Sequence, residues 1–264
     1  MNRAGERMIA TTEGAVGWMI FNHPARHNAV SMDMWRSVGR IVEAFKADPA
    51  VRAIVVTGAG DRAFVSGADI SEFHEKRATP AAIAEYDAIS EHASQLLETM
   101  AKPTIAMIRG YCIGGGVDLA LRCDIRIAAD DARFGVPAAK LGLGYPFSDV
   151  NRLVHIVGPA FAKEIFYSGR QFNAAEALQM GLVNRVVPAG ELKGSVNAFA
   201  DTVVGNAPLS ISAIKQCVGE ALKDAGQRNL AACQAAVDAC YASADYVEGR
   251  TAFMEKRRPL FRAR

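Results

Sequence analysis

Apolar positions in the first third of the chain follow two rhythms. Residues 15–21 (AVGWMIF) and 53–57 (AIVVT) are short, nearly continuous apolar runs, the second bounded by Gly58-Ala59-Gly60, and both read as strands. Between them Ser31 is placed as a helix N-cap. After it Met34, Trp35, Val38, Ile41, Val42 and Phe45 step by one, three and four residues, which is a helical period. That helix is expected to stop before Asp48-Pro49, because proline pushes the preceding residue out of the helical region. A longer helix follows Pro80, with Ile83, Ile89, Ala93, Leu96, Leu97 and Met100 inward, and Lys102-Pro103 closes it. Residues 104–108 and 124–128 read as further strands. Strands alternating with helices predict an α/β arrangement.

From about Asn197 the pattern changes. Three alanine-rich segments, 197–206, 209–223 and 227–241, read as helices with no strand between them. The chain is therefore expected to divide into an α/β core over residues 1–195 and a helical region over 196–264, which packs on a neighbour or on its own core.

Composition narrows the class. With 264 residues, half of them hydrophobic, the chain can bury a full core, which excludes disordered and coiled-coil readings. Thirty basic residues against 28 acidic ones leave a net charge of +2, too balanced for a nucleic-acid footprint. Cys112, Cys123, Cys217, Cys233 and Cys240 form no C-x-x-C pair and are odd in number, so reduced thiols in a cytoplasmic setting are expected. No apolar run reaches the roughly 18 residues of a membrane span. The N-terminus is too polar, from Glu6 and Arg7 to Glu13, for a secretory signal.

Two glycine-rich segments carry the candidate chemistry. One is Phe64-Val65-Ser66-Gly67-Ala68-Asp69-Ile70; the other is Arg109-Gly110-Tyr111-Cys112-Ile113-Gly114-Gly115-Gly116-Val117-Asp118, where a strand runs into a helix. Small residues let a ligand approach the backbone, and the N–H groups of a helix's first turn are unpaired donors. Together they suit a site that holds an anionic oxygen without any side chain. Glycines at such places also serve tight turns and close packing. Other motifs fail on spacing. Gly110 and Gly114-Gly115-Gly116 do not fit G-x-G-x-x-G, and neither segment has the lysine of a P-loop. Ser66 lacks the G-x-S-x-G elbow, and His23-x-x-x-His27 has Pro24 inside it and no H-E-x-x-H, so no metal site is expected. The basic stretch Lys256-Arg257-Arg258 fits a solvated helix end or a phosphate contact.

At these residues the chain resembles the enoyl-CoA hydratase/isomerase, or crotonase, superfamily, over nearly its whole length. The matching residues run in the family's order: Asn22-His23-Pro24 with Asn28-Ala29; Thr57-Gly58-Ala59-Gly60; Ser66-Gly67-Ala68-Asp69-Ile70; Lys102-Pro103; Gly110-Tyr111 with Gly114-Gly115-Gly116; and Cys123-Asp124. Downstream come Phe134-Gly135 with Pro137, Arg152-Leu153, Ala174 through Ala177 leading to Gly181-Leu182-Val183, and Glu248 through Phe253.

The resemblance implies a spiral of β-β-α units with a helical C-terminal trimerisation region, assembled as a homotrimer or a dimer of trimers. It implies an acyl-CoA thioester as partner, with coenzyme A present only as part of the substrate and no permanently bound cofactor. Nucleic-acid and membrane partners are not expected. The enolate oxygen would be bound by the backbone N–H groups of Ala68 and Gly115, such donors being worth about 3–4 kcal/mol each. Coenzyme A would lie along Ala25, Arg26 and His27, with adenine near Ala68, Asp69 and Ile70. Phe253 and Lys256 match the family's C-terminal aromatic and lysine, often supplied by the neighbouring subunit, and Arg26 and Lys256 suit phosphates. Met107, Phe73 and Phe147 are candidates for lining the acyl pocket.

The chain also departs from the family pattern. A hydratase of this family uses two glutamates as acid and base. The first matches Asp118, a carboxylate about 1.5 Å shorter in reach; the second matches Ala138, which transfers no proton. The following loop reads Tyr145-Pro146-Phe147-Ser148-Asp149, and Pro146 lacks an N–H. Three accounts stay open. Asp118 is the single acid/base, as in isomerase- or decarboxylase-type members; or Tyr145 or Asp149 supplies the missing group; or only acyl-CoA binding is kept. A thioester hydrolase on the same fold is a further alternative.

Overall fold

The structure, a computed structural model, describes residues 6–69, 72 and 78–263. Ile70 and Phe73, expected to take part in ligand binding, lie outside the described residues.

Ten strands form two sheets. The larger has β1 (Met8–Glu13), β2 (Val16–Phe21), β3 (Ala53–Gly58), β5 (Thr104–Ile108), β7 (Ile125–Ala129) and β10 (Arg185–Val187), adjacent in that order. All neighbours are parallel except the β1–β2 hairpin. The smaller has β4 (Ala63–Val65), β6 (Tyr111–Ile113), β8 (Arg133–Gly135) and β9 (Phe172–Asn173); only β9 runs antiparallel. Each of β3, β5 and β7 hands the chain to the next strand of the small sheet. The path is thus a spiral whose turns place one strand in each sheet, with helices α1 (Met32–Ala47), α2 (Pro80–Glu98) and α3 (Gly115–Leu121) among its connections.

Period-two alternation explains why the large sheet is covered on both faces. Met19, Phe21, Ile54, Val56, Ala106, Ile108 and Ala128 face one core with α1 and α2. Trp18, Val55, Ile105 and Ile127 face the other way, onto Leu192, Val196 and Ala200 of α6 (Leu192–Val204). Met107, a candidate for lining the acyl pocket, lies half-buried against that second cluster.

Helix α1 begins and ends where its caps dictate. The Ser31 hydroxyl accepts from Met34 N–H at 3.3 Å, and Asp48 is the C-cap. Lys102, expected only as a helix stop, has a second role: its ammonium donates to Phe45 O and to Asp48 O, at 2.6 Å for the latter, neutralising the C-terminal carbonyls of α1. In α2 Thr79 caps the first turn, and Ala93 and Leu97 are buried. Ile83, expected inward, is 39% exposed, as most of the first turn of α2 is exposed and burial on this helix begins at Tyr86.

Helix α4 (Phe147–Ser168) kinks at Gly158-Pro159, where Gly158 takes φ 76° and proline supplies no N–H. Phe147, an expected pocket residue, is its first residue and 81% exposed. After α5 (Ala174–Gln179) and α6 come α7 (Pro208–Ala221), α8 (Leu230–Ala242) and α9 (Ala244–Met254). The expected division at 195/196 falls inside α6, whose apolar face belongs to the core. The last three helices are tethered by few groups. Lys215 donates to Asp124 Oδ2 at 2.8 Å, and Arg52 donates to Asn206 O at 2.7 Å and Phe261 O at 3.3 Å. No residue of α8 is buried. Among the described residues no helix is long and apolar enough to cross a membrane.

Candidate active site

The small sheet positions the site. Its parallel strands β4, β6 and β8 end side by side, and the residues that follow them are Ser66-Gly67-Ala68, Gly114-Gly115 and Val136-Pro137-Ala138. Loops at the carboxyl ends of parallel strands are where such sheets bind ligands. Gly114 N–H donates to Gly135 O at 2.8 Å, locking the second and third of these ends together. The first and second approach so closely that a Cβ on Gly67 would stand 3.3 Å from Ile113 O and 3.8 Å from Gly115 N. Gly114 has φ 56° and ψ −119°, a conformation that only glycine adopts without strain, and it turns β6 into α3.

Two backbone donors are left over at this meeting point. Val30 N–H donates to Gly67 O at 2.8 Å and Asp69 N–H to Val30 O at 3.0 Å, so the Ala68 N–H between them turns away from its pairing strand. Among the described residues neither Ala68 N–H nor Gly115 N–H has a hydrogen-bond acceptor. The notch they share can hold an anionic oxygen with no charged side chain.

Asp118 lies one turn beyond Gly115 on α3, on the same helix face. It does not stand alone. Its Oδ1 accepts from Arg152 Nη1 at 2.9 Å and its Oδ2 from Arg122 Nε at 3.1 Å. Arg122 has a side chain only 1% exposed, and also reaches Glu91 (2.6 Å) and Glu98 (3.3 Å) of α2 and Asp149 (3.3 Å) of α4. Arg152 reaches Glu98 at 2.8 Å and Asp149 at 3.4 Å. Burial pushes the Asp118 carboxyl above the ordinary range, and the Asp149 charge adds to this while Arg122 and Arg152 oppose it. Sequence reasoning missed this cluster. Its local signals are the i,i+4 pair Asp118/Arg122 and the i,i+3 pair Asp149/Arg152.

Tyr145 is half-buried, edge-on to Phe166 with centroids 5.1 Å apart, and its hydroxyl stands 3.9 Å from where a Cβ on Gly114 would be. Ala138 is buried in the short 3-10 turn Pro137–Leu141. Ala68, Gly115 and Tyr145 thus come together at the end of β6 and the start of α3, with Asp118 one turn on, and Asp149 is linked to Asp118 through Arg122 and Arg152.

The expected coenzyme A residues fall in two places. Ala25 and Arg26 are exposed on the single turn Pro24–Arg26, and His27 follows with φ 51°. This loop lies against the first glycine segment: Ser66 N–H donates to His27 O at 3.2 Å and its hydroxyl to Arg26 O at 3.4 Å. Beneath it Asn28 is fully buried, donating to Ala63 O and Ala59 O and accepting from His23 N–H. Asp69 is also buried. Phe253, 82% exposed at the end of α9, and Lys256 just beyond it are not brought to this loop by any hydrogen bond or ring contact among the described residues. Burial pushes the Cys112 and Cys123 thiols far up, the latter to about 12, so neither is a nucleophile near neutral pH. No group of three or more metal-ligating side chains is assembled among the described residues.

Comparison with known proteins agrees with this architecture. The sequence model of the family described as "Enoyl-CoA hydratase/isomerase" matches residues 11–264. A crotonyl-CoA hydratase of Syntrophomonas wolfei is 36% identical over 258 residues, covering 98% of each chain. A carnitinyl-CoA dehydratase of Proteus mirabilis is 35% identical over 258 residues, covering 96% of this chain and 97% of its own. The crystal structure of an enoyl-CoA hydratase/carnithine racemase from Magnetospirillum magneticum superposes with a TM-score of 0.92 at 34% identity, covering 99% of this chain and 97% of its own. The sheet arrangement described above is thus the crotonase fold, and the chain belongs to the enoyl-CoA hydratase/isomerase family.

Proposed function

We propose that this protein processes acyl-CoA thioesters through an enolate held by the Ala68 and Gly115 N–H groups, with Asp118 moving the proton. The observation that carries this reading is the pair of unengaged N–H groups on two chain segments that pack together at Gly67 and Gly115, one helical turn from a largely buried carboxylate. When electrons move toward the thioester carbonyl, the oxygen's developing charge meets two fixed donors that need no reorganisation. Asp118, held by Arg122 and Arg152, is oriented before substrate arrives, and Tyr145 borders the same notch. Coenzyme A lies along Ala25, Arg26 and His27, with adenine toward Asp69 and Ile70.

Phe253 and Lys256 reach that ligand from a second copy of the chain, in a homotrimer or a dimer of trimers. Support comes from α7, where Ile214, Val218 and Leu222 form an exposed stripe at a spacing of four, and from Phe253 and Met254, each at least 80% exposed. Light scattering is expected to give three or six times 28.2 kDa; a monomer at micromolar concentration would reject the assembly.

A second reading, binding without turnover, is favoured by the occupation of both Asp118 oxygens by guanidinium donors. The two readings separate on crotonyl-CoA, followed by loss of its conjugated-thioester absorbance. Wild type is expected to hydrate it, and Asp118→Ala to lower kcat by about 10²–10⁴. Tight ester binding with no turnover on a panel of short- to long-chain 2-enoyl-CoA esters would establish the binding reading instead.

A further inference from the structure

Asp118 and Asp149 use their oxygens differently. Both oxygens of Asp118 accept from arginine, whereas Asp149 concentrates its partners on Oδ1, which accepts from the Ser148 hydroxyl (3.2 Å), Arg122 Nη2 (3.3 Å) and Arg152 Nη1 (3.4 Å). Among the described residues its Oδ2 has no partner. One atom, Arg152 Nη1, donates to both aspartates, so the two carboxylates face each other across a single guanidinium nitrogen. Glu91 and Glu98 of α2 complete the cluster, which sets four carboxylates against two guanidiniums.

Adding water across a conjugated double bond needs two proton-transfer groups at once, one to take a proton from water and one to give a proton to carbon. Ala138 supplies neither. We propose that Asp149 is the second carboxylate of this site, forming with Asp118 a pair that holds one proton; the inference rests on the acyl-CoA reading above. In the hydration direction the water oxygen bonds to Cβ and its O–H bond breaks, the proton going to Asp149 Oδ2. The double-bond electrons move through Cα to the carbonyl oxygen, held by Ala68 and Gly115. As the enolate collapses, Cα takes the proton of Asp118. The pair begins and ends with one proton, and one water is consumed. The raised affinity of Asp118 for its proton suits it to the donor role.

The test uses Asp149→Asn, which keeps the size of the side chain and an acceptor at Oδ1. Turnover of an enoyl-CoA ester is expected to fall about 10²–10³-fold with KM little changed. In aspartate-labelled protein, the ¹³C carboxyl titration of Asp118 is expected to move to lower pH by about one unit, because a neighbouring like charge has gone. Partial recovery of turnover in Asp149→Glu is the companion result, and thermal melting verifies that each variant is folded. Unchanged turnover together with an unmoved Asp118 titration overturns the pair while leaving the acyl-CoA reading intact. Wild-type protein inert on every enoyl-CoA ester overturns both.

Discussion

Arg122→Met is expected to lower the free energy of unfolding by about 3–5 kcal/mol at neutral pH, the usual effect of removing one partner from a buried ionic cluster. Methionine fills much the same volume as the arginine stem, so the loss is electrostatic and not a cavity. Arg122 binds carboxylates from three helices: Glu91 and Glu98 on α2, Asp118 on α3 and Asp149 on α4. Without it Arg152 alone faces all of them except Glu91. The pH dependence has a definite sign. Burial lifts the Asp118 carboxyl above the ordinary range even with Arg122 present, and the variant lifts it further. A carboxyl whose folded pKa lies above its unfolded value penalises folding at high pH, and the penalty shrinks as pH falls through the folded value. Glu91 acts oppositely. Although burial opposes it, the hydrogen bond and charge of Arg122 hold Glu91 below its ordinary range, a stabilising contribution present above the unfolded pKa and lost as pH falls. The Asp118 effect makes the difference between wild type and Arg122→Met largest near neutrality and smaller as pH falls toward about pH 5, whereas the Glu91 contribution is kept until pH falls below its ordinary value of 4.5. Urea denaturation at both pH values measures it. An equal loss at each would mean that packing, not charge, is what Arg122 contributes. Adding Asp118→Asn should recover part of the loss, since it removes one of the three carboxylate charges left to Arg152 alone.

Where side-chain periodicity is strong, the fold can be read directly from the residues. Helix α1 has its predicted cap, its predicted end and its predicted buried face; β3 and β5 lie at their expected positions within a residue. The small sheet was invisible for a physical reason. Strands β4, β6 and β8 have three residues each, too few for any period, and their pairing is set by the spiral and not by their own sequences. Strand β1 was missed because its last four residues are exposed and polar or small, leaving no alternation to detect. At the site, the glycine segments announced a backbone pocket, and Asp118 stood out by its match to the family's first glutamate. The arginine cluster did not, because its members come from positions 91, 98, 118, 122, 149 and 152 on three helices that meet only in the folded chain. What chemistry the glycines serve was legible only through resemblance. Glycine spacing alone is compatible with turns, close packing or anion binding.

Gly116→Ala is expected to damage stability and turnover together. A Cβ there would stand 2.0 Å from Val65 O and 2.9 Å from Val65 C, backbone atoms that no rotamer change can move aside. Either α3 or β4 must shift by about 1 Å or more. Strand β4 is held by its pairing to β6, and Val65 leads straight into Ser66-Gly67-Ala68, so strain entering at Val65 is delivered to one of the two donors of the proposed oxyanion notch. Overpacking a core side chain costs about 1–3 kcal/mol; against fixed backbone the loss is expected at the upper end of that range or above it. Turnover is expected to fall at least about 10²-fold, the usual effect of losing one oxyanion donor. The neighbouring position supplies the control. A Cβ on Gly115 would have Gly67 Cα as its nearest neighbour, at 3.9 Å, an ordinary contact. Gly115→Ala keeps its N–H and gains helix propensity, so its stability should match wild type or exceed it by up to about 1 kcal/mol. Urea denaturation of both variants, with turnover measured on the folded fraction, reads the contrast. Wild-type stability and turnover in Gly116→Ala would mean that α3 and β4 are free to separate. The notch would then not be the rigid backbone device that the proposed enolate stabilisation requires.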